Sequence, residues 1–169
     1  MSKALFEKYI IPASEKMYRY AFSILKDRET AADVVQECLM KIWDKRSMLP
    51  EIKNHESWVM RITRNQCYDW VKTNRFTLID ERELNKIDTR NTDDEVLVND
   101  HLKWLDKILK ALPDKHREIF HLREIEDMLY QDIAEVLGLS LGEIKISLHR
   151  TRAKIKMQMQ KIDQYGIAN

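Results

Sequence analysis

The stretch Tyr130–Ile155, YQDIAEVLGLSLGEIKISLHRTRAKI, determines how the C-terminal part of the chain folds. Ala134 is small enough to let two helices cross closely, and Gly138 can adopt the left-handed backbone geometry that ends a helix. Ser140 can then cap the following helix. The spacing predicts a helix-turn-helix, whose core positions would be Ile133, Leu137, Leu139, Ile144 and Leu148.

The second helix of this motif carries a strongly basic surface. From Ile144 through Ile162 there are six Lys or Arg residues and no acidic residue, a pattern suited to phosphate contacts. The second helix of such a motif enters the major groove, where each base pair presents its own pattern of hydrogen-bonding groups and methyls. A solvated basic face is the alternative, but the correctly spaced turn residues favour DNA binding. The outward side chains are predicted to be Glu143, Lys145, Ser147, His149, Arg150 and Arg152.

Apolar residues recur at helical spacing from Met17 to Leu25, which predicts a first helix. The clearest helical pattern in the N-terminal half follows Asp27, whose carboxylate can cap a second helix. Apolar side chains recur there at helical spacing and form one broad stripe that must be buried: Ala31, Val34, Val35, Cys38, Leu39, Ile42 and Trp43. The pattern lapses after Trp43, where Pro50 indicates a loop. A third helix is predicted from about Ser57 to Thr73, with Asn54 as its N-cap.

Aromatic and basic residues are interleaved on this third helix and just beyond it. The combination is expected where unstacked bases meet aromatic or guanidinium planes. Burial in a helical core is the competing interpretation, and it is the stronger one for Trp58, which lies on the apolar stripe. The residues concerned are Trp58, Tyr68, Trp70 and Phe76 with Arg61, Arg64, Lys72 and Arg75.

Charge is distributed unevenly along the chain. The net charge is +4 for residues 1–75, −5 for residues 76–100 and +2 for residues 101–169. Residues 76–92 show no sustained periodicity and are predicted to be a flexible acidic linker. We therefore predict an all-α protein with two small helical domains, residues 1–75 and 93–163. The second domain would begin with an amphipathic helix that Pro113 ends.

Composition excludes several classes of protein. With 44% hydrophobic and 34% charged residues, three Gly and three Pro, the chain is too apolar for disorder and too poor in turn residues for an all-β fold. It has no long uncharged apolar run, so we expect a cytoplasmic protein without membrane insertion. Cys38 and Cys67 lack metal-ligand spacing and are expected to be ordinary reduced, partly buried thiols. No metal, cofactor or catalytic constellation is indicated, so we expect no enzyme activity.

Three segments together resemble the sigma-70 family, specifically its extracytoplasmic-function group, also called group 4. AADVVQECLMKIW, residues 31–43, is similar to the region 2 helix of that group, and SWVMRITRN, residues 57–65, is similar to the promoter-melting helix that follows. Residues 112–156 resemble region 4 almost throughout. The resemblance implies an RNA polymerase sigma factor built from a region 2 helical bundle and a region 4 helix-turn-helix.

The resemblance also implies roles for individual residues. Core RNA polymerase would be bound through its clamp helices by Asp33, Gln36, Glu37 and Trp43. The minus-10 promoter element would be opened and held by Asn54, His55, Arg61, Arg64 and Asn65, with a flipped base captured in the loop at about Pro50–Ser57. The minus-35 duplex would be read by Glu143, Lys145, Ser147, Arg150, Arg152 and Lys154. The second domain would also touch the polymerase flap, and an anti-sigma factor is an expected partner.

The sequence departs from the family pattern at a few positions. Leu39 stands where an aromatic residue is common, Ala32 where an acid is common, and Glu143 where Thr is frequent. Glu143 would be able to accept a hydrogen bond from a cytosine amino group, which predicts a changed promoter preference. Two other interpretations stay open from the residues alone: a free-standing helix-turn-helix transcriptional regulator, and a helical adaptor or small enzyme with an incidental basic tail.

Overall fold

The structure, a computed structural model, describes residues 1–75 and 100–164, and all regular secondary structure in those two ranges is helical. The first range, here called the first lobe, contains α1 (Ser2–Leu5), a π-helical turn (Phe6–Ile10), α2 (Ile11–Leu25), α3 (Arg28–Asp44), a 3-10 helix (Arg46–Glu51) and α4 (His55–Thr73). The second lobe contains α5 (Asp100–Lys110), α6 (Asp114–Phe120), a π-helical turn (His121–Ile125), α7 (Tyr130–Leu137) and α8 (Leu141–Gln164).

The predicted all-α class with two helical units is confirmed. The acidic linker predicted for residues 76–92 lies outside the described residues, as does Phe76.

Helix starts in the first lobe follow the predicted capping chemistry. The Asp27 carboxylate accepts a hydrogen bond from the Thr30 backbone N–H at 2.8 Å, and the Asn54 side-chain oxygen accepts one from the Ser57 N–H at 3.0 Å. Each bond satisfies one of the backbone donors that a helix leaves without a partner at its start. Both N-caps predicted from the sequence are therefore confirmed.

Two local features of the first lobe differ from the prediction. Helical structure begins already at Ser2, where the sequence indicated periodicity only from Met17. Pro50 is predicted to mark a loop, but it lies inside the 3-10 helix Arg46–Glu51. The same short helix contains Leu49, which is fully buried. Proline is tolerated there because a short 3-10 turn does not need the missing N–H.

The core of the first lobe forms where α2, α3 and α4 pack on one another. The largest fully buried side chains are those of Met17, Tyr20, Ile42 and Met60, joined by the apolar stripe of α3. Cys38 and Cys67 are unpaired, as predicted, and both are fully buried in this core, where partial burial was expected. Burial raises the pKa of the Cys38 thiol to about 11 and that of Cys67 to about 12, so both stay protonated and unreactive at neutral pH.

The two lobes are packed against each other, and their buried apolar residues form one continuous cluster. α4 contacts α7, and the C-terminal part of α2 contacts the π-helical turn of the second lobe. The Tyr20 ring stacks on His121 with ring centroids 5.8 Å apart. The joined core places α4, a helix of expected DNA-facing residues, beside the helix-turn-helix.

Two buried carboxylates from the second lobe complete this contact. Glu118, 4% exposed, accepts hydrogen bonds from the Tyr20 hydroxyl at 2.6 Å, from Arg64 Nε at 2.7 Å and from the Tyr68 hydroxyl. Burial, then the adjacent Glu118 charge, holds the pKa of Tyr20 well above its usual range, so its hydroxyl remains a donor. A buried carboxylate is tolerated because its oxygens are saturated with donors.

The second buried carboxylate, Glu126, is 3% exposed and pairs with Arg19. Arg19 donates to it through Nε at 2.9 Å and Nη2 at 2.7 Å, and His121 Nε2 lies 3.1 Å from Glu126 Oε1. Burial alone would raise the pKa of Glu126, but the hydrogen bonds and charges of His121 and Arg19 outweigh burial and lower it from 4.5 to about 2. The ionised form is thus favoured in the folded protein.

This depressed pKa predicts a pH-dependent stability. A carboxylate with a lower pKa in the folded state stabilises the protein above its unfolded pKa, and that contribution is lost as the pH falls from about 4.5 toward 2. We expect Glu126→Gln to unfold more easily than wild type above about pH 5, with a difference that shrinks on acidification. Urea unfolding across this range measures it. A difference that stays constant with pH would contradict the assignment.

Across the two ranges that the structure describes, no helix combines the length and the apolar character needed to cross a membrane.

Candidate nucleic-acid interface

The turn between α7 and α8 has the predicted helix-turn-helix geometry. Gly138 ends α7 in the left-handed region, with φ of 65°, and its backbone N–H donates to the Ala134 carbonyl. The Leu139 N–H donates to the same carbonyl at 3.0 Å. A residue with a Cβ would be strained at this φ, which explains why glycine occupies the position.

Ser140 and Glu143 cap the start of α8 reciprocally. The Glu143 backbone N–H donates to Ser140 Oγ at 3.2 Å, and the Ser140 N–H donates to Glu143 Oε2 at 2.8 Å. This is a capping box, which fixes the first turn of α8. Glu143 also lies 3.4 Å from Lys115 Nζ, so its carboxylate is engaged on two sides. Reading of a cytosine amino group by Glu143, expected from the sequence, would require the carboxylate to leave these partners.

α8 is held against α7 and α6 by its buried face. Ile144 and Leu148 are fully buried, with Ile133 of α7 opposite them, as predicted. Val136 is buried as well, whereas Leu137 and Leu139 are only partly buried. The outward side of α8 is thereby fixed in direction.

One predicted DNA contact is wrong in its orientation. Ser147 was expected on the outward face, but it is buried, with 5% exposure, and its hydroxyl has no hydrogen-bond partner among the described residues. The reason is helical geometry, because Ile144, Ser147, Leu148 and Thr151 follow the i, i+3, i+4, i+7 pattern of one face. Ser147 therefore belongs to the packing of α8 and is not available to a base.

The remaining predicted contacts of α8 are exposed and basic. Lys145, Arg150 and Lys154 project from the outward side, together with His149. Arg152 is exposed too, but its Nε donates to Glu124 at 2.6 Å, which ties it to the edge of the second lobe. Among the predicted cations of α8, Lys145, Arg150 and Lys154 thus make no ion pair with other residues in the described ranges and are suited to DNA.

Acidic and polar side chains on α3 form a second exposed surface. Asp33, Gln36 and Glu37 are all exposed and lie on one side of the helix, and Glu37 pairs with Lys41 at 2.8 Å. Met40 follows them at helical spacing and is 68% exposed, which the sequence reasoning missed. An exposed Met within a polar helix face was the signal available, since a protein interface commonly includes such a side chain.

Trp43 lies at the end of this surface and is partly exposed. Its ring meets Phe6 edge-on, with centroids 5.0 Å apart, and the Arg46 guanidinium lies 4.4 Å above its face. One side of the indole is thus fixed by the core, while 37% of the residue remains accessible. A rigid, half-exposed tryptophan is a suitable anchor for a partner.

The residues expected to hold the minus-10 strand fall into two groups. Arg61 and Asn65 are exposed on α4. Arg64, by contrast, is paired with Glu118, and the amide nitrogen of Asn54 donates to Asp132 at 2.9 Å in the second lobe. His55 stacks on Tyr9, with centroids 4.5 Å apart.

The aromatic residues of α4 are mainly packing residues. Trp58 and Trp70 are partly buried against the joined core, and the Tyr68 hydroxyl donates to Glu118. The Arg64 guanidinium lies 4.8 Å from the Tyr68 ring centroid. The structure therefore favours the core interpretation over base stacking for these three residues.

Comparison with known proteins identifies the family. The model for sigma-70 region 2 matches residues 14–77, and the model for sigma-70 region 4 matches residues 102–155. RNA polymerase sigma factor SigV of Bacillus subtilis is 26% identical over 96% of this chain and 95% of its own length. ECF RNA polymerase sigma factor SigW of the same organism is 24% identical over 88% of this chain and 85% of its own.

Two solved structures share the fold. The sigma factor RpoE from Bartonella quintana, solved in complex with the anti-sigma factor NepR, has a TM-score of 0.70 and 23% identity over 92% of this chain and 96% of that one. CnrH, solved with the cytosolic domain of CnrY, has a TM-score of 0.63 and 21% identity over 92% and 88% of the two chains.

A helical chain that ends in a helix-turn-helix with an outward basic face is a DNA-binding transcription protein by class. The two family models, which together span well over half of the sequence, make the assignment specific. The chain belongs to the sigma-70 family and is an RNA polymerase sigma factor of the extracytoplasmic-function group.

Proposed function

We propose that the second lobe, within the predicted domain 93–163, reads the minus-35 promoter element as duplex through the outward side of α8. The observation that carries this proposal is the exposed set of Lys145, Arg150 and Lys154 on a helix whose opposite face is seated on α7. Guanidinium groups hydrogen-bond guanine edges, and ammonium groups neutralise phosphates. In this proposal Glu143 and Arg152 hold α8 in position, Glu143 through its bond to the Ser140 N–H and Arg152 through its bond to Glu124.

The first lobe, residues 1–75, binds core RNA polymerase and opens the minus-10 element in this proposal. The α3 surface of Asp33, Gln36 and Glu37, extended by Met40 and Trp43, contacts the clamp helices. Its exposed position supports the role. Arg61 and Asn65 are available to the opened strand, with Asn54, His55 and Arg64 beside them.

The remaining roles follow from this division. The protein supplies no chemistry of its own, because nucleotide transfer belongs to the polymerase and strand opening needs only preferential binding of the melted strand. It acts in the cytoplasm, where the polymerase is. An anti-sigma factor is a partner, a proposal supported by the fold shared with RpoE, which was solved with NepR.

Replacing Gln36 and Glu37 together by alanine is expected to weaken association with core polymerase at least tenfold, because two polar contacts are lost from one interface. Affinity is measured by titrating labelled protein with core enzyme. Glu135→Ala, which removes an exposed carboxylate from α7 in the second lobe, is the matched control and should bind normally. Equal affinity of all three proteins would place the polymerase contact elsewhere.

Replacing Arg150 by alanine is expected to weaken promoter binding by the holoenzyme by about 1–3 kcal/mol, the usual range for a lost contact to a base edge. Association with core polymerase should stay unchanged. Promoter binding is compared on duplexes with the selected and with a scrambled upstream element. A similar loss on both duplexes would make Arg150 a phosphate contact, and loss of polymerase binding would overturn the placement.

The alternative function is a free-standing transcriptional regulator that binds duplex DNA without polymerase. The two functions differ in one measurement, since a sigma factor of this group is expected to show specific promoter binding only with core enzyme present. In vitro transcription from a pool of promoters, with and without the protein, tests activity and specificity together.

A further inference from the structure

Three large apolar side chains of α8 are exposed, those of Leu141, Ile146 and Met157, and Ile146 is the most exposed of them. Ile146 is 55% exposed, although the buried Ile144 stands only two positions before it. With 100° between successive residues, Ile146 lies almost opposite the buried side of the helix, in line with Gly142 and Ala153. Gly142, Ile146 and Ala153 thus form an uncharged strip along the middle of the outward face, with His149 beside it and Lys145 and Arg150 on its two flanks.

Helix stability does not explain why isoleucine stands at position 146 or glycine at position 142. Isoleucine is a poorer helix former than lysine, glutamate or alanine, since its β-branch restricts the side chain. Gly142 is not required by the fold either, because an added Cβ would meet only Ser140 Oγ, at 3.9 Å, and its backbone is not left-handed. A methyl group would fit at residue 142 of the isolated protein.

Ile146 and Gly142 both suit contact with the major groove of DNA. Lys145, His149 and Arg150 surround Ile146, and this basic surrounding suits a polyanion rather than an apolar protein groove. The apolar group exposed on the major-groove edge of a base pair is the 5-methyl of thymine. A glycine at the centre of the face lets the helix backbone approach the bases closely.

We infer that Ile146 recognises a thymine methyl group within the minus-35 duplex, and that Gly142 provides the close approach. The inference rests on the proposed function, in which α8 reads that element. It names a specificity determinant that makes no hydrogen bond and is therefore additional to the basic contacts.

The test uses the complete chain assembled with core polymerase. A preferred upstream duplex is first selected from a pool with a randomised minus-35 region. Each thymine in the selected duplex, on either strand, is then replaced singly by deoxyuridine, which pairs identically but lacks the methyl. Wild-type holoenzyme is expected to lose about three- to tenfold in affinity at one thymine, the scale of one buried methyl group.

Ile146→Ala holoenzyme is expected to bind the thymine duplex more weakly and to show no further loss with deoxyuridine at that position. Circular dichroism and core binding confirm that this surface variant is folded. Gly142→Ala serves as a second variant, expected to retain stability and to bind both duplexes more weakly.

Three outcomes overturn the inference. The first is that deoxyuridine has no effect at any position, and the second is that its effect persists unchanged in Ile146→Ala. In both cases the selected upstream preference would survive and only the role of Ile146 would fall. Selection of no upstream preference at all would instead remove the proposed function, and the inference with it.

Discussion

Glu118→Ala is expected to lower the free energy of unfolding by about 3–5 kcal/mol, the usual loss when one partner of a buried ion pair is removed. The alanine would leave the fully buried Tyr20 hydroxyl without an acceptor and the Arg64 guanidinium without its carboxylate. Each stranded group loses a hydrogen bond that water cannot easily replace. Urea unfolding followed by circular dichroism gives the value.

Two matched variants make this result specific. Glu118→Gln keeps an acceptor for Tyr20 but removes the charge, so an intermediate loss is expected. Glu135→Ala removes an exposed carboxylate from α7 and should change stability by no more than about 0.5 kcal/mol. If Glu118→Ala and Glu135→Ala were equally stable, the contact between the lobes would not depend on this carboxylate.

Ile144→Ala is expected to destabilise the protein by about 2–5 kcal/mol, because it removes a fully buried side chain from the contact between α7 and α8 and leaves a cavity. The same variant should weaken upstream promoter binding, because the packing on α7 that fixes the orientation of α8 would be weakened. Chemical unfolding and duplex binding are measured on one preparation.

Ile146→Ala is the matched control for stability, because it removes the same atoms from the exposed side of the same helix. Its unfolding free energy should stay within about 0.5 kcal/mol of wild type. Equal losses at residues 144 and 146 would mean that α8 is not oriented as described.

Local chemistry made much of the fold predictable. Asp27 and Asn54 cap their helices, and Gly138 takes the left-handed conformation, because each acts on backbone groups within a few residues. The apolar stripe of α3 is buried for an equally local reason, its 3.6-residue repeat. Short-range patterns of this kind are visible in a single sequence.

Other features were missed although a signal existed. Ser147 is predicted to face outward, yet its spacing from Ile144, Leu148 and Thr151 places it on the buried face. The first helical turns are not predicted, although Pro12 is compatible with them because proline is well tolerated in the first turn of α2.

The contact between the lobes had no local signal at all. Glu118 and Arg64 are 54 residues apart in the chain, and neither residue type by itself indicates a buried ion pair. Arg64 was assigned to DNA by resemblance, and only the three-dimensional arrangement shows its carboxylate partner. Long-range pairings of single charged residues follow from packing, which one sequence does not reveal.

The paired state of Arg64 has a thermodynamic consequence. Its Nε–Nη2 edge is occupied by Glu118 and its face lies over Tyr68, so a phosphate that binds this edge must displace a carboxylate of the same molecule. The free energy of that exchange is subtracted from the observed affinity. Glu118 thus acts as a tethered competitor, whose effective concentration is set by the fold and does not fall on dilution.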